Sequence, residues 1–219
     1  MIEAQDLVKK YADCTAVNHV SLSVGNGEFV AVTGRSGSGK STLLKCLSGL
    51  LTPNSGSILI GGKNIHSLKA AERSKFRNRT AGYVFQSYAL EPKYTAFENI
   101  EIPMLICGIS KQERRKRILE VSKFIGISDI LKKPSETLSG GEKQRVAIAR
   151  ALVNSPSVIF ADEPCGNLDK KTSDAVMDLF LEIKNLGTTI VMVTHQHEDA
   201  LRADRIIEML DGEIINESI

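Results

Sequence analysis

The chain has 219 residues, 42% of them apolar, enough to fill the core of one large domain or of a core with an inserted subdomain. Its 28 lysines and arginines against 26 acidic residues leave a formal charge of only +2, a balance that speaks against nucleic acid or an anionic membrane surface as its partner. Four dispersed cysteines with no Cys-x-x-Cys pair read as reduced thiols of a cytosolic protein. No apolar run approaches the ~20 residues that cross a bilayer, and Met1 to Asp6 lacks the basic and apolar segments of a secretory leader, so any action at a membrane requires another, spanning chain.

The first third reads as strands and tight turns: Ile2 to Val8, Ala16 to Val24, then Glu28 to Thr33, with Gly25-Asn26-Gly27 turning between the second and third. Directly after the third strand comes Gly34-Arg35-Ser36-Gly37-Ser38-Gly39-Lys40-Ser41, followed by Thr42 and a good helix through Leu47. Glycine at three of these positions lets successive N–H groups turn inward as a nest for phosphate oxygens, and the helix N-terminus behind it favours anions. Lys40 is expected to reach the β- and γ-phosphates of a nucleotide and Ser41 to ligate Mg²⁺. A breaker cluster, Leu51 to Gly56, leads to Ser57–Ile60, the first arm of a hairpin around Gly61-Gly62, and Ala81–Phe85 forms a short buried strand.

From 88 to 155 the sequence turns helical. Ser110 and Glu113 form a capping box that opens a long helix through Ile125, whose basic run Arg114–Arg117 is expected on a solvated face. A second helix is predicted near Asp129 to Lys132, and Ser139-Gly140-Gly141-Glu142 repeats the box before Val146–Val153. The last third alternates: strand Val158–Ala161, helix Thr172–Lys184, strand Thr189–Thr194, a short helix Glu198–Arg202, and the pair Arg205–Leu210 and Glu213–Ile215 around Asp211-Gly212. Short apolar strands alternating with helices imply a parallel sheet covered on both faces, with ligands at the strands' carboxyl ends. The expected fold is therefore α/β, a P-loop NTPase core at 1–87 and 156–219 that carries an antiparallel N-terminal β subdomain, with an all-helical subdomain inserted at 88–155.

Asp162-Glu163 leaves the strand that should lie beside the phosphate loop. One of these carboxylates suits Mg²⁺, usually through water, and the next suits polarising the attacking water, so Asp162 is assigned to the metal and Glu163 to the water. With these in place, the ordered set Gly34–Ser41, Gln86, Leu138-Ser139-Gly140-Gly141-Glu142, Asp162-Glu163, Asn167-Leu168-Asp169 and His195 resembles the ATP-binding subunit of an ABC (ATP-binding cassette) transporter over essentially the whole chain.

The resemblance implies an ATPase with ATP and Mg²⁺ as cofactors, Gln86 sensing Mg²⁺ or the γ-phosphate, His195 binding the γ-phosphate, and Tyr11 stacking on adenine. It implies that Ser139, Gly140 and Gly141 close over the γ-phosphate held by Lys40 of a second copy, in a head-to-tail dimer. It further implies an integral membrane permease as partner and a peripheral position on the cytoplasmic face of the membrane. Phe85 to Pro103 is similar to the lipoprotein-release and macrolide-export branch, which includes the cell-division cassette; an export role is the expectation, with a regulatory or non-transport ATPase as the alternative. Cys165 stands where that family has a small hydroxyl residue, which raises the expectation of an oxidation-sensitive thiol near the dimer seam. His19 and His66 fall outside the set and are expected at the surface.

Overall fold

The computed structural model describes residues 1–218. Two sheets organise it. Strands β1 (Ile2–Tyr11), β2 (Cys14–Val24), β4 (Ser55–Ile60) and β5 (Lys63–Asn64) make an antiparallel sheet in the order β2-β1-β4-β5. The second sheet runs β10-β9-β3-β8-β7-β6, with β3 (Phe29–Thr33), β6 (Ala81–Val84), β7 (Val158–Asp162), β8 (Thr189–Val193) and β9 (Arg205–Leu210) parallel, and β10 (Glu213–Ser218) antiparallel to β9 at the edge.

The central strands read as unbroken apolar runs because both of their faces are covered. Phe29, Ala31, Ile159, Ala161, Ile190 and Met192 point into one apolar cluster, and Val30, Val32, Val158, Phe160, Val191 and Val193 into the other. That alternation follows the two-residue period of a strand. The first cluster is completed by the helices α3 (Ala96–Ile106), α4 (Lys111–Ile125), α5 (Gly140–Leu152) and α6 (Lys170–Asn185). The second is completed by α1 (Lys40–Leu47) and the antiparallel sheet.

Several local expectations change. Residues 129–132 form turns, not a helix: Ile130 N–H bonds to the Ile127 carbonyl and Lys133 N–H to that of Ile130, three residues back in each case, and the two turns bury Ile130 and Leu131. A helix that the sequence pattern left unmarked, α3, starts instead at Thr95, whose hydroxyl and the Glu98 carboxylate cap it reciprocally. At α4 only half of the expected box forms: Ser110 accepts from Glu113 N–H, but the Glu113 carboxylate turns to Arg117 at 2.7 Å. Arg114 is not on a solvated face, since its guanidinium pairs with Glu101 at 2.7 Å and both side chains are largely covered. Two further helices, α2 (Ala70–Thr80) and α7 (His197–Ala200), precede β6 and β9.

Candidate nucleotide site

Strand order decides which residues meet. β3, β8, β7 and β6 are parallel neighbours, about 4.8 Å from strand to strand, so the residues following their carboxyl ends, Gly34, His195, Glu163 and Gln86, stand along one edge. A pocket of about 510 Å³ opens there, lined by the Ser36–Thr42 loop, Gln86, Glu163, His195 and Ala16. Ala16 carried no signal in the sequence. Its place follows from backbone contact: a Cβ on Gly39 (φ 96°) would stand 1.9 Å from the Ala16 carbonyl oxygen, so only glycine passes there. Gly34 (φ 142°) is pressed in the same way against the Met209 carbonyl, and Gly212 N–H bonds to the Ser38 carbonyl, so the β9–β10 hairpin backs the loop. At Gly37 (φ 84°) a Cβ would meet nothing within 4 Å, which is the open side of the cradle.

Lys40 is buried and donates to the carbonyls of Gly34 at 2.9 Å and Arg35 at 2.8 Å, tying the loop's start to its end. Burial lowers its ammonium pKa from the usual lysine value, while the nearby Glu163 and Asp162 carboxylates pull it back up. The Ser41 hydroxyl donates to Asp162 Oδ1 at 2.7 Å, and the Tyr83 hydroxyl lies 3.4 Å from Oδ2. Burial, and then Asp162, push the Tyr83 phenol well above its ordinary range, so Tyr83 stays a neutral donor. Ser41 and Asp162 are two hard oxygen donors on facing walls, a set that fits Mg²⁺, which takes one or two protein oxygens and keeps water or phosphate for the rest. Among the described residues no group of three or more His, Cys, Asp or Glu could hold a metal by itself.

Glu163 has a left-handed backbone (φ 49°) fixed by its N–H to the Val193 carbonyl at 2.9 Å. Its Oε2 accepts from His195 Nδ1 at 2.6 Å, joining the two expected catalytic side chains. Tyr11 does not line the pocket. It sits half-exposed at the end of β1 with the Lys9 ammonium 5.6 Å from its ring centre, one hairpin tip away from Ala16.

Ser139, Gly140 and Gly141 are likewise absent from the lining. Ser139 caps α5 in a full box with Glu142. The adjoining glycines answer to packing: a Cβ on Gly141 would stand 2.5 Å from Thr172 Cγ2, and one on Gly140 3.2 Å from the Tyr88 hydroxyl. Within one chain the two glycine-rich helix ends therefore do not converge on one phosphate. Two further expectations are corrected. Cys165 is 1% exposed, and burial above all pushes its thiol up to about 12, which removes the reactive thiolate. His66 is half-buried against α1, its Nε2 3.2 Å from the Cys46 carbonyl, whereas His19 is exposed as expected.

A sequence model of the ABC transporter family matches residues 17–166. The chain is 45% identical over 217 residues to the lipoprotein-releasing system ATP-binding protein LolD of Aquifex aeolicus, covering 99% of this chain and 97% of that one. It is 41% identical to the macrolide export ATP-binding/permease protein MacB of Brucella melitensis, covering all of this chain but 34% of the larger protein. Among solved structures it superimposes on the dimeric bacterial ABC transporter cassette MJ0796 with a TM-score of 0.92 at 39% identity, over 100% of this chain and 98% of that one. A second structure of that cassette, also dimeric, holds ADP and Pi after hydrolysis, with a TM-score of 0.92 at 38% identity over the same shares of the two chains.

Proposed function

We infer the role of this chain from one premise: it belongs to the ABC transporter family, and it is an ATPase. We propose that two copies close head to tail around two ATP molecules, and that closing and reopening drive a membrane permease in an export or extrusion task. The observation that carries this reading is the separation within one chain of the Lys40 pocket from the Ser139 helix end, which leaves the pocket open where a γ-phosphate would lie. A second copy supplies the missing wall.

In that sandwich the Gly34–Ser41 nest and Lys40 hold the phosphates, and Ser41 and Asp162 hold Mg²⁺, with Gln86 reaching the metal or the γ-phosphate. The metal, when bound, neutralises charge on the phosphate oxygens. Glu163 takes the proton of the attacking water, oriented by its 2.6 Å bond to His195, which also reaches the γ-phosphate. Tyr11 lies outside the pocket and would contact the base only at its rim.

Residues 88–155 act as one helical unit carrying the permease contact. A cleft of about 300 Å³ between that unit and the core, bordered by the exposed Leu50 and Ile106, suits an apolar segment of the permease. No helix among the described residues is long and apolar enough to cross a membrane; on the strength of the family membership we place the chain peripherally at the cytoplasmic face. The likeness to the lipoprotein-releasing LolD and the macrolide-export MacB supports export as the task.

The decisive experiment is Glu163→Gln. With ATP and Mg²⁺ this variant should elute as a dimer on size-exclusion chromatography and lose turnover by about 100-fold or more, while ADP leaves it monomeric. A variant that stays monomeric with ATP, or that hydrolyses at the parental rate, would refute the assignment.

A further inference from the structure

Arg150 stands near the end of α5, half-buried, and among the described residues its guanidinium binds no carboxylate. It donates through Nη1 to the Ala89 carbonyl and through Nη2 to the Tyr88 carbonyl at 2.8 Å. These two residues follow Gln86 by two and three positions, and both have left-handed backbones, φ 63° and 49°. Neither is glycine, so each conformation is opposed by its own Cβ and persists only where something outside the turn holds it. The turn's own bonds, Tyr88 N–H to the Phe85 carbonyl and Ala89 N–H to that of Ser87, leave the Tyr88 and Ala89 carbonyls to Arg150.

The other end of α5 touches the same turn. Gly140, ten residues or about 15 Å before Arg150, faces the Tyr88 hydroxyl so closely that a Cβ there would stand 3.2 Å from it. Tyr88 thus bridges the helix, its carbonyl on Arg150 and its phenol at the Ser139 cap. Asn167, whose carbonyl would lie 4.0 Å from the same Cβ, donates to the Gln86 carbonyl at 3.1 Å and closes the circuit.

We propose that Arg150 is a positioning residue for Gln86, its fork on the Tyr88 and Ala89 carbonyls making the Gln86 loop part of helix α5, so that the segment offering Ser139 to a second copy and the segment offering Gln86 to the chain's own nucleotide move as one body. Docking of Ser139 on a partner's nucleotide is then felt at the Gln86 of the same chain. The inference rests on the reading of Gln86 given above. A planar guanidinium can hold two successive carbonyls at fixed spacing, whereas an ammonium is a point donor that holds one well.

The test compares Arg150→Lys and Arg150→Met with the parent protein in four measurements: melting temperature, affinity for ATP without Mg²⁺ by calorimetry, the Mg²⁺ dependence of ATP turnover, and amide exchange over residues 87–90. For Arg150→Met, exchange of those amides should accelerate about ten-fold or more. Its kcat should fall, and its half-saturating Mg²⁺ concentration rise, by about ten-fold, while Mg²⁺-free ATP affinity stays within about two-fold. Arg150→Lys should recover part of each loss. Parental exchange and Mg²⁺ dependence in Arg150→Met would overturn the proposal, and so would a drop in Mg²⁺-free affinity as large as the drop in kcat. If Arg150→Met does not fold, Arg150→Lys is judged by the same two outcomes. Gln86→Ala separates the premises: parental Mg²⁺ dependence in that variant refutes the reading of Gln86, and the exchange data then decide on Arg150 alone.

Discussion

Gly141→Ala separates two reasons for a glycine at the start of α5. If the residue is glycine only to let an anion approach, alanine should leave the unliganded fold intact. The structure says otherwise, because the new Cβ would stand 2.5 Å from Thr172 Cγ2. Thr172 has little freedom to yield: its N–H donates to Asp169 Oδ1 at 3.1 Å and its hydroxyl to Oδ2 at 2.6 Å, the cap of α6. Overpacking of this kind costs about 1–3 kcal/mol, or about 1 kcal/mol if Thr172 rotates and its hydroxyl gives up the bond to Asp169 Oδ2 instead. Alanine returns about 0.5–1 kcal/mol through its better helix propensity. The net loss is about 0–2.5 kcal/mol, centred near 1 kcal/mol, which is a fall in melting temperature of roughly 2–4 °C for a chain of this size. Thr172→Ser removes Cγ2 and keeps the hydroxyl, so in that background Gly141→Ala should be neutral or stabilising. Differential scanning calorimetry of the four proteins closes the cycle. An equal loss from Gly141→Ala in both backgrounds would refute the clash.

Two further outcomes are expected. Glu142 and Glu98 are held below the usual carboxylate range, chiefly by the N–H groups of Ser139 and Thr95. A lowered folded pKa stabilises the fold above the ordinary carboxylate pKa, and that stabilisation disappears as pH falls through the folded value, so melting temperature should drop below about pH 5. Glu142→Gln should be less acid-sensitive, and an unchanged slope between pH 6 and 3 would contradict the cap's role. Iodoacetamide at pH 8 should label the exposed Cys14 in the native protein but reach Cys165 only on unfolding, as read by mass spectrometry; prompt native labelling of Cys165 would show that its burial is wrong.

The phosphate loop was legible because its signal is local: three glycines, a lysine and a serine between a strand and a helix need nothing distant to be recognised. The central strands were legible because a strand buried on both faces must be apolar throughout, as β7 and β8 are. Other features depend on residues far apart in sequence. Arg150 meets the Tyr88 carbonyl across 62 positions, and Ala16 matters only through where its carbonyl falls beside Gly39. His66 was misjudged because the chain leaving β5 brings its ring to the Cys46 carbonyl of α1, which local polarity does not reveal. Helix α3 is the exception. Its Thr95-x-x-Glu98 box was readable, but a run rich in apolar residues with Pro103 inside hid the helical period.

The two edges of the nucleotide pocket are fixed by backbone conformations that favour glycine, and they resolve the demand in opposite ways. At Gly34 and Gly39 a side chain would strike the Met209 and Ala16 carbonyls, so the Cβ is given up and the residue type itself marks the position. Glu163 takes a left-handed conformation (φ 49°) that costs a non-glycine residue about 1–2 kcal/mol, and yet it keeps its side chain. Bonds on both of its sides hold it there: its N–H to the Val193 carbonyl, its carbonyl from Gly166 N–H, and its carboxylate from His195. A glycine would relax that strain and remove the carboxylate, so stability and activity pull in opposite directions at this residue. Such a position is invisible to local propensity, which disfavours it, and becomes legible only once β7 is known to end beside the loop that follows β3, with β8 and its His195 between them.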